Sequence, residues 1–308
     1  MFSKRTVSYG FLLVNTIVWG AALVIVKPSL DVSTAFRYLL YRFFIASVLS
    51  IPIFLYYVPK IKSLKKKLVS LLSVELLGTV SLGLLYIGLA KTTALEASLI
   101  TTTAPIFTVL VGTWYLRERE EKHELIGLGL ALSGTILLVL LPLLLGLQSI
   151  THLSLLGNVL IIGQNIAAAF YFVLAKKHYK KLPKLFVAAV SFVIGMIVFG
   201  VLSLWEAGWS HSALLPAIQT DLQSPSVWVA AFYMATFGSI IGLTAYIKGQ
   251  DGIEASEASL FTYLQPLVYV PLAVLLLGDT LHWGQTLALL LIISGVIVAE
   301  RRKKRRKK

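Results

Sequence analysis

The chain has 308 residues, no cysteine, and a formal net charge of +14 from 28 basic and 14 acidic side chains. Hydrophobic residues make up 57% and charged ones 14%, against roughly 25% charged in soluble domains. A water-soluble fold around one core does not fit these numbers, and disulfide or thiol chemistry is excluded.

The apolar residues fall into runs of about twenty, the length that crosses a hydrocarbon layer as helix. Breaks at charges, Pro and Gly predict ten spans at roughly 8–27, 34–57, 69–90, 95–116, 124–146, 154–175, 184–205, 227–247, 257–278 and 282–299. The fold class expected is an all-α membrane protein. An outer-membrane barrel needs alternating segments, and Leu137–Leu141 and Leu287–Ile293 do not alternate. The first run is span-length with no small-residue cleavage pattern behind it, so it reads as span one rather than a signal peptide. The long connection Ala207–Ser226 is expected to form a short surface helix.

Basic residues sit mainly in one set of connections: Lys4 and Arg5, Lys60–Lys67, Arg117 to Lys122, Lys176–Lys184 and the tail Arg301–Lys308. The opposite set is assigned Lys27, Lys91 and Lys248. This bias predicts a multi-pass protein of the cell (inner) membrane with both termini cytoplasmic. It accounts for the positive charge as topology plus attraction to anionic lipids at the cytoplasmic face, so nucleic acid is not an expected partner.

Sliding the chain against itself gives one strong register, i with i + 161. Leu82, Gly88, Ala94, Glu96, Ala97, Ser98, Leu99, Thr101, Pro105, Val109 and Leu116 meet Leu243, Gly249, Ala255, Glu257, Ala258, Ser259, Leu260, Thr262, Pro266, Val270 and Leu277. Leu128, Leu130, Ser133, Gly134 and Ile136 then meet Leu289, Leu291, Ser294, Gly295 and Ile297. The earlier spans match weakly at an offset of 150, pairing Asn15 with Asn165 and Lys27 with Lys177. A five-span unit crosses an odd number of times, so its second copy is inverted. The organisation expected is a first five-helix repeat at 1–147, a second, inverted one at 148–300, and a basic tail at 301–308. Two nearly equivalent packings of such halves are the physical basis of alternating access.

Several segments carry a family signature: Trp19-Gly20, Arg42-Phe43, Leu84-Leu85-Tyr86 through Ala97 and Pro105 to Leu116-Arg117-Glu118, and Ala258-Ser259-Leu260 through Gln265-Pro266 to Gly278-Asp279. They resemble the drug/metabolite transporter superfamily, in its EamA-type ten-span members. The resemblance implies a secondary transporter, typically an exporter of amino acids, other metabolites or amphipathic compounds. It also implies a central cavity lined by both halves, with spans five and ten peripheral. Phe170-Tyr171 replaces the second Trp of the commonest pattern, a change that bears on substrate choice, and Asp279 replaces the usual Glu.

Polar and aromatic residues at helical spacing give the substrate-binding candidates Asn15, Trp19, Tyr86, Thr102, Gln164, Tyr171, Tyr263 and Gln265. Each also has a bland reading as a helix-to-helix hydrogen bond. Glu75 and Arg42 are charges at depth, which cost several kcal/mol in hydrocarbon unless paired or hydrated. Glu75 is the candidate for proton coupling or a substrate ammonium, and Arg42 for its charge partner or a substrate carboxylate. The competing reading has Arg37 and Arg42 snorkelling outward and Glu75 reaching the cytoplasmic surface. Pro105 and Pro266 are hinge candidates or static kinks. The face of Gly238, Gly242, Ala245 and Gly249 is expected to pack on another helix. Tyr9, Tyr56 and Trp228 read as interface anchors. Lys91, Glu96, Lys248 and Glu257 read as solvated ion pairs at outer span ends.

No metal set or catalytic triad assembles from His123, His152, His178, His211 and His282, and no nucleotide loop is present. Neither enzyme activity nor a cofactor is expected. The alternative function is an integral-membrane enzyme acting on lipid or isoprenoid substrates; a non-transporting receptor or assembly subunit would leave a polar midplane unexplained. The expected partners are a small-molecule substrate and the bilayer, with the protein a monomer or homodimer.

Overall fold

The computed structural model describes residues 3–61, 64–92, 97, 100–101, 103–117, 122–144, 155–179, 182–277 and 283–300. Among them the secondary structure is entirely helical. The helices are α1 (Lys4–Leu30), α2 (Ala35–Leu49), α3 (Ile51–Tyr57), α4 (Leu64–Lys91), α5 (Ala104–Val111), α6 (Lys122–Leu144), α7 (Leu155–His178), α8 (Lys184–Glu206), α9 (His211–Gln223), α10 (Pro225–Tyr233), α11 (Thr244–Gly249), α12 (Ala255–Ser259), α13 (Pro266–Leu277) and α14 (Trp283–Glu300).

Local chemistry sets the ends and breaks. The Ser3 hydroxyl accepts from the Thr6 N–H to cap α1, and the Thr34 hydroxyl accepts from the Arg37 N–H to cap α2. Pro52 lacks an N–H, and the chain bends by 47° between α2 and α3. Among the described residues five helical stretches are long and apolar enough to cross a membrane, and the bent α2–α3 pair makes a sixth. Ala104–Leu116, Leu125–Gly134 and Thr286–Gly295 are shorter apolar stretches at the expected fourth, fifth and tenth spans. The ninth is broken by a tight 3₁₀ segment, Leu260–Leu264, before α13. Large apolar side chains such as Ile17, Leu55, Leu110, Phe232 and Leu290 face outward, as lipid contact requires. The expected surface helix in the long connection is present as α9.

Contacts between the halves recur in pairs. α2 packs on α8, α6 on α14 and α5 on α12, while α4 lies along α7 as α1 lies along the segment from α10 to α11. A Cβ at Gly134 would meet the Ala288 carbonyl and Ile292, and one at Gly295 would meet the Gly127 carbonyl and Ala131; every member is displaced by 161 from its counterpart. Gly88 faces Ile161 and the Gly157 carbonyl as Gly249 faces Leu12 and the Ser8 carbonyl. Thr16 donates to the Phe261 carbonyl and Asn165 to the Ile100 carbonyl. These pairs relate the first spans by 149 residues, not the 150 read from the sequence. Thr16, not Asn15, is the counterpart of Asn165.

The connection after α11 corrects another expectation. Arg5 contacts Glu257 at 2.7 Å and Lys184 contacts Asp251 at 3.0 Å, so this connection lies at the N-terminal end of the bundle. Lys248, which lies over the Phe11 ring 5.2 Å from its centroid, therefore joins the basic set at that end. Glu257 is buried and also accepts from the Tyr9 hydroxyl at 2.6 Å, so neither residue has the solvated or merely interfacial role expected. At the opposite end Lys27 donates to the Leu89 and Thr92 carbonyls. There Asp221 of α9, 1% exposed, accepts from Arg37 Nε at 2.7 Å, Ser33 at 2.7 Å and Tyr41 at 2.8 Å.

Two stability outcomes follow from this packing. Gly295→Val should cost about 1–3 kcal/mol through overpacking, seen as a lower melting temperature in detergent, whereas Gly129→Ala, with no packing neighbour among the described residues within 4 Å of its Cβ position, should leave it unchanged or slightly higher. Asp221→Asn should cost about 1–3 kcal/mol in the same assay, because Arg37 loses its nearer, buried carboxylate and keeps only Glu206 at 3.9 Å.

Candidate functional site

One cavity of about 190 Å³ lies between the halves, with walls from the first and second repeats. Trp19, Arg42, Tyr86, Gln164, Tyr171 and Gln265 line it, six of the residues singled out in the sequence. Among the described residues none of α6 or α14 lines the cavity, and the two helices pack on each other at the side.

The eighth span carries a π-helical segment, Met234–Leu243, that shapes one wall. Such wider turns shift the carbonyl register and leave acceptors for neighbours. Trp19 Nε1 donates to the Gly238 carbonyl and Asn15 Nδ2 to the Gly242 carbonyl, each at 3.0 Å. Trp19 still presents its ring to the cavity, stacked on Tyr246 with centroids 5.5 Å apart, and Phe172 lies 4.3 Å from Tyr246. Asn15 does not line the cavity; its amide holds α1 to the π-helical segment. Gly242 and Gly249 pack against Trp19 and Leu12 of α1, as the small-residue face requires.

Arg42 is the charged side chain of the lining, and it is 5% exposed. Its Nε donates to Ser239 and its Nη1 to the Tyr86 hydroxyl, each at 3.0 Å, and the guanidinium lies 5.1 Å from the Phe43 ring centroid. None of these neighbours is an anion. The expected Arg42–Glu75 charge pair is not formed, and the snorkelling alternative fails for Arg42 as well. Arg37, closer to the end of α2, is the arginine that finds carboxylates.

Glu75 is fully buried behind the cavity wall. Tyr171 donates to its Oε2 at 3.3 Å, and Ser191 and Tyr179 lie beside it. Tyr171 and Ser191 also line the cavity, so the carboxylate is one hydroxyl away from it. Gln164 Oε1 and Asn165 Oδ1 are buried acceptors with no partner, although Asn165 Nδ2 donates to Thr103 Oγ1 at 2.9 Å. Unpaired acceptors of this kind are costly unless something else fills them.

Tyr263 is corrected: it is fully buried among Ala131, Leu260 and Ile292, away from the cavity. Thr102 lies outside the described residues. Pro105 falls in the first turn of α5 and Pro266 opens α13, so each begins a helix after a break and leaves no mid-helix hydrogen bond missing. Sequence reading missed Asn165, Ser191, Ser239 and Tyr246 as lining residues. The adjacent amides Gln164-Asn165 in an apolar run were a usable signal for the first; the others carried none.

The description EamA-like transporter family matches residues 6–140 and again 155–300. The chain is 26% identical over 300 residues to the uncharacterized transporter YetK of Bacillus subtilis, covering 96% of this chain and 87% of that protein. It is 27% identical over 297 residues to the uncharacterized inner membrane transporter YedA of Escherichia coli K12, covering 92% of this chain and 88% of the relative. A crystal structure with 15% sequence identity superposes with a TM-score of 0.70 over 96% of this chain and 97% of that one, which is the same fold. With a matched unit in each half covering most of its length, the chain belongs to the EamA-like transporter family.

Proposed function

We propose that the protein is a secondary transporter that exports small metabolites such as amino acids by alternating access, with proton coupling at Glu75. The observation that carries this reading is the cavity shared by two repeated halves, with a buried guanidinium that has no carboxylate partner. The halves are read as inverted copies. Support comes from the paired contacts and from chain direction: α1 starts at the N-terminal end, whereas α7 starts beside Thr92 and Lys91 at the opposite end. The basic connections favour a cytoplasmic N-terminal end.

Chemistry suggests the substrate. A carboxylate would neutralise Arg42 by charge-assisted hydrogen bonds, and an ammonium would supply the donors that Gln164 Oε1 and Asn165 Oδ1 lack. An apolar body would rest on Trp19, Phe172 and Tyr246. The volume of 190 Å³ is below the roughly 300–1,000 Å³ of sites that take drug-sized ligands, which favours amino-acid-sized cargo over bulkier amphipathic compounds. Glu75, reached through Tyr171, can hold a proton in one facing state and release it in the other.

Counterflow of radiolabelled amino acids in proteoliposomes, with and without a pH gradient, tests the reading. Arg42→Met should reduce counterflow at least tenfold while leaving the melting temperature unchanged or higher, since an apolar side chain relieves an unpaired buried charge. Full counterflow in that variant rejects the carboxylate site. Glu75→Gln should retain counterflow and lose gradient-driven accumulation; accumulation at the wild-type level rejects Glu75 as the coupling group.

A further inference from the structure

Two stretches of the cavity wall are related by the repeat. α2 begins at Ala35 after the cap Thr34, and α8 begins at Lys184 after the cap Pro183, so the offset of 149 found for the first spans also relates the second and the seventh. It carries Arg42-Phe43 onto Ser191-Phe192, and all four residues line the cavity. The Phe43 and Phe192 rings meet with centroids 6.4 Å apart. In halves read as inverted copies, a residue that meets its own counterpart does so across the axis relating them. Arg42 and Ser191 therefore flank that axis, one on each side.

The two flanks have unlike chemistry. Arg42 donates to the hydroxyls of Ser239 and Tyr86, each at 3.0 Å. The residues displaced by 161 from these are Gly78 and Ile247. The Tyr171 ring covers Gly78, 2.8 Å from where a Cβ would stand, and Ile247 is buried in an apolar cluster with Tyr171 and Val190. Ser191 bonds to the buried Glu75, so its proton is committed there and what it has left to offer is an acceptor. Along α4, Gly78 lies nearer the N-terminal end than Tyr86 by about 12 Å of helix rise. Ser81, between them, donates to the Gln164 carbonyl at 3.2 Å, which places the neighbouring amides Gln164 and Asn165 between the flanks. Among the described residues of the lining Arg42 is the one cation.

Resting on the amino-acid reading above, we propose that cargo binds in one orientation and that position 191 sets its class. One carboxylate sits on Arg42, the ammonium at Gln164 and Asn165, and a neutral side chain reaches Ser191, where a second carboxylate is excluded. An acidic side chain there would be stripped of water with no cation to answer it, and with the Glu75 carboxyl group directly behind the serine. A neutral amide of the same shape can instead donate to the Ser191 oxygen. A second arginine at the position related to Arg42 would have suited the lining to dicarboxylates; serine there makes it a one-carboxylate site.

Counterflow of radiolabelled leucine in proteoliposomes, with unlabelled glutamine and glutamate as competitors of equal size, tests the assignment. In the wild type glutamine should compete roughly fiftyfold or more better than glutamate. Equal competition by the two overturns the one-carboxylate site and leaves amino-acid transport standing. Absence of counterflow with leucine, glutamine and glutamate alike overturns the amino-acid reading and the proposal with it. A second arm compares Glu75→Gln with the double variant Glu75→Gln/Ser191→Arg, in which the new guanidinium has no neighbouring carboxylate to capture it. Glutamate competition relative to glutamine should rise at least tenfold in the double variant. An unchanged ratio, at a melting temperature within a few degrees of Glu75→Gln, overturns the role of position 191. Ser191→Ala, a smaller change, reads the same contact without demanding a new charge in the wall. It should weaken glutamine at least fivefold relative to leucine, which needs nothing from the hydroxyl, and an equal effect on both overturns the contact.

Discussion

A charged or polar side chain inside a hydrocarbon-embedded bundle must be solvated by protein, by trapped water or by cargo, and the arrangement around the cavity follows from that constraint. Arg42 is given two hydroxyls and two aromatic faces but no carboxylate. Glu75 is given hydroxyls but no cation. Joining the two charges would have been the cheaper solution for stability. They are kept apart, one on the cavity and one behind its wall, and the proposed anion and proton sites rest on that separation. By contrast Asp221 with Arg37, and Glu257 with Arg5, are paired and hydrogen-bonded, as charges with structural roles should be.

Those paired charges sit at the two ends of the bundle, and the unpaired ones between them. At the N-terminal end Arg5, Tyr9 and Glu257 tie the start of the first span to the start of the ninth. At the other end Lys27 fastens the first span to the third, and Asp221 fastens the surface helix α9 to the second. Polar ties of this kind break and re-form at modest cost where water can reach them. The centre is lined by side chains that lie directly against glycine backbone, Trp19 on Gly242 and Tyr171 on Gly78.

The breaks in the helices have the same logic. The π-helical segment at Met234–Leu243 frees carbonyls that Asn15 and Trp19 of the first span use, so the irregular backbone is satisfied within the protein. The breaks ahead of Pro105 and Pro266 occur at matching places in the two halves, and Asn165 and Thr16 bond to the carbonyls just before them. Duplication thus preserved a backbone device as well as a sequence.

Length of apolar runs, basic bias and the repeat at 161 were enough to specify a helical membrane bundle in two related halves, because each depends only on composition and spacing along the chain. Candidates with an aromatic or amide character at helical spacing, such as Trp19, Tyr86 and Gln164, were legible for the same reason. Which side of a helix faces the cavity was not. Asn15 and Tyr263 have the right chemistry but turn to the π-helical segment and to the lateral layer, and Ser239 and Tyr246 reach the cavity through a turn that spacing rules for a regular helix cannot anticipate. The partners of buried charges were equally hidden. Whether Arg42 meets Glu75, and whether Asp221 meets Arg37, depends on how distant segments are brought together, and that was decided by tertiary packing alone.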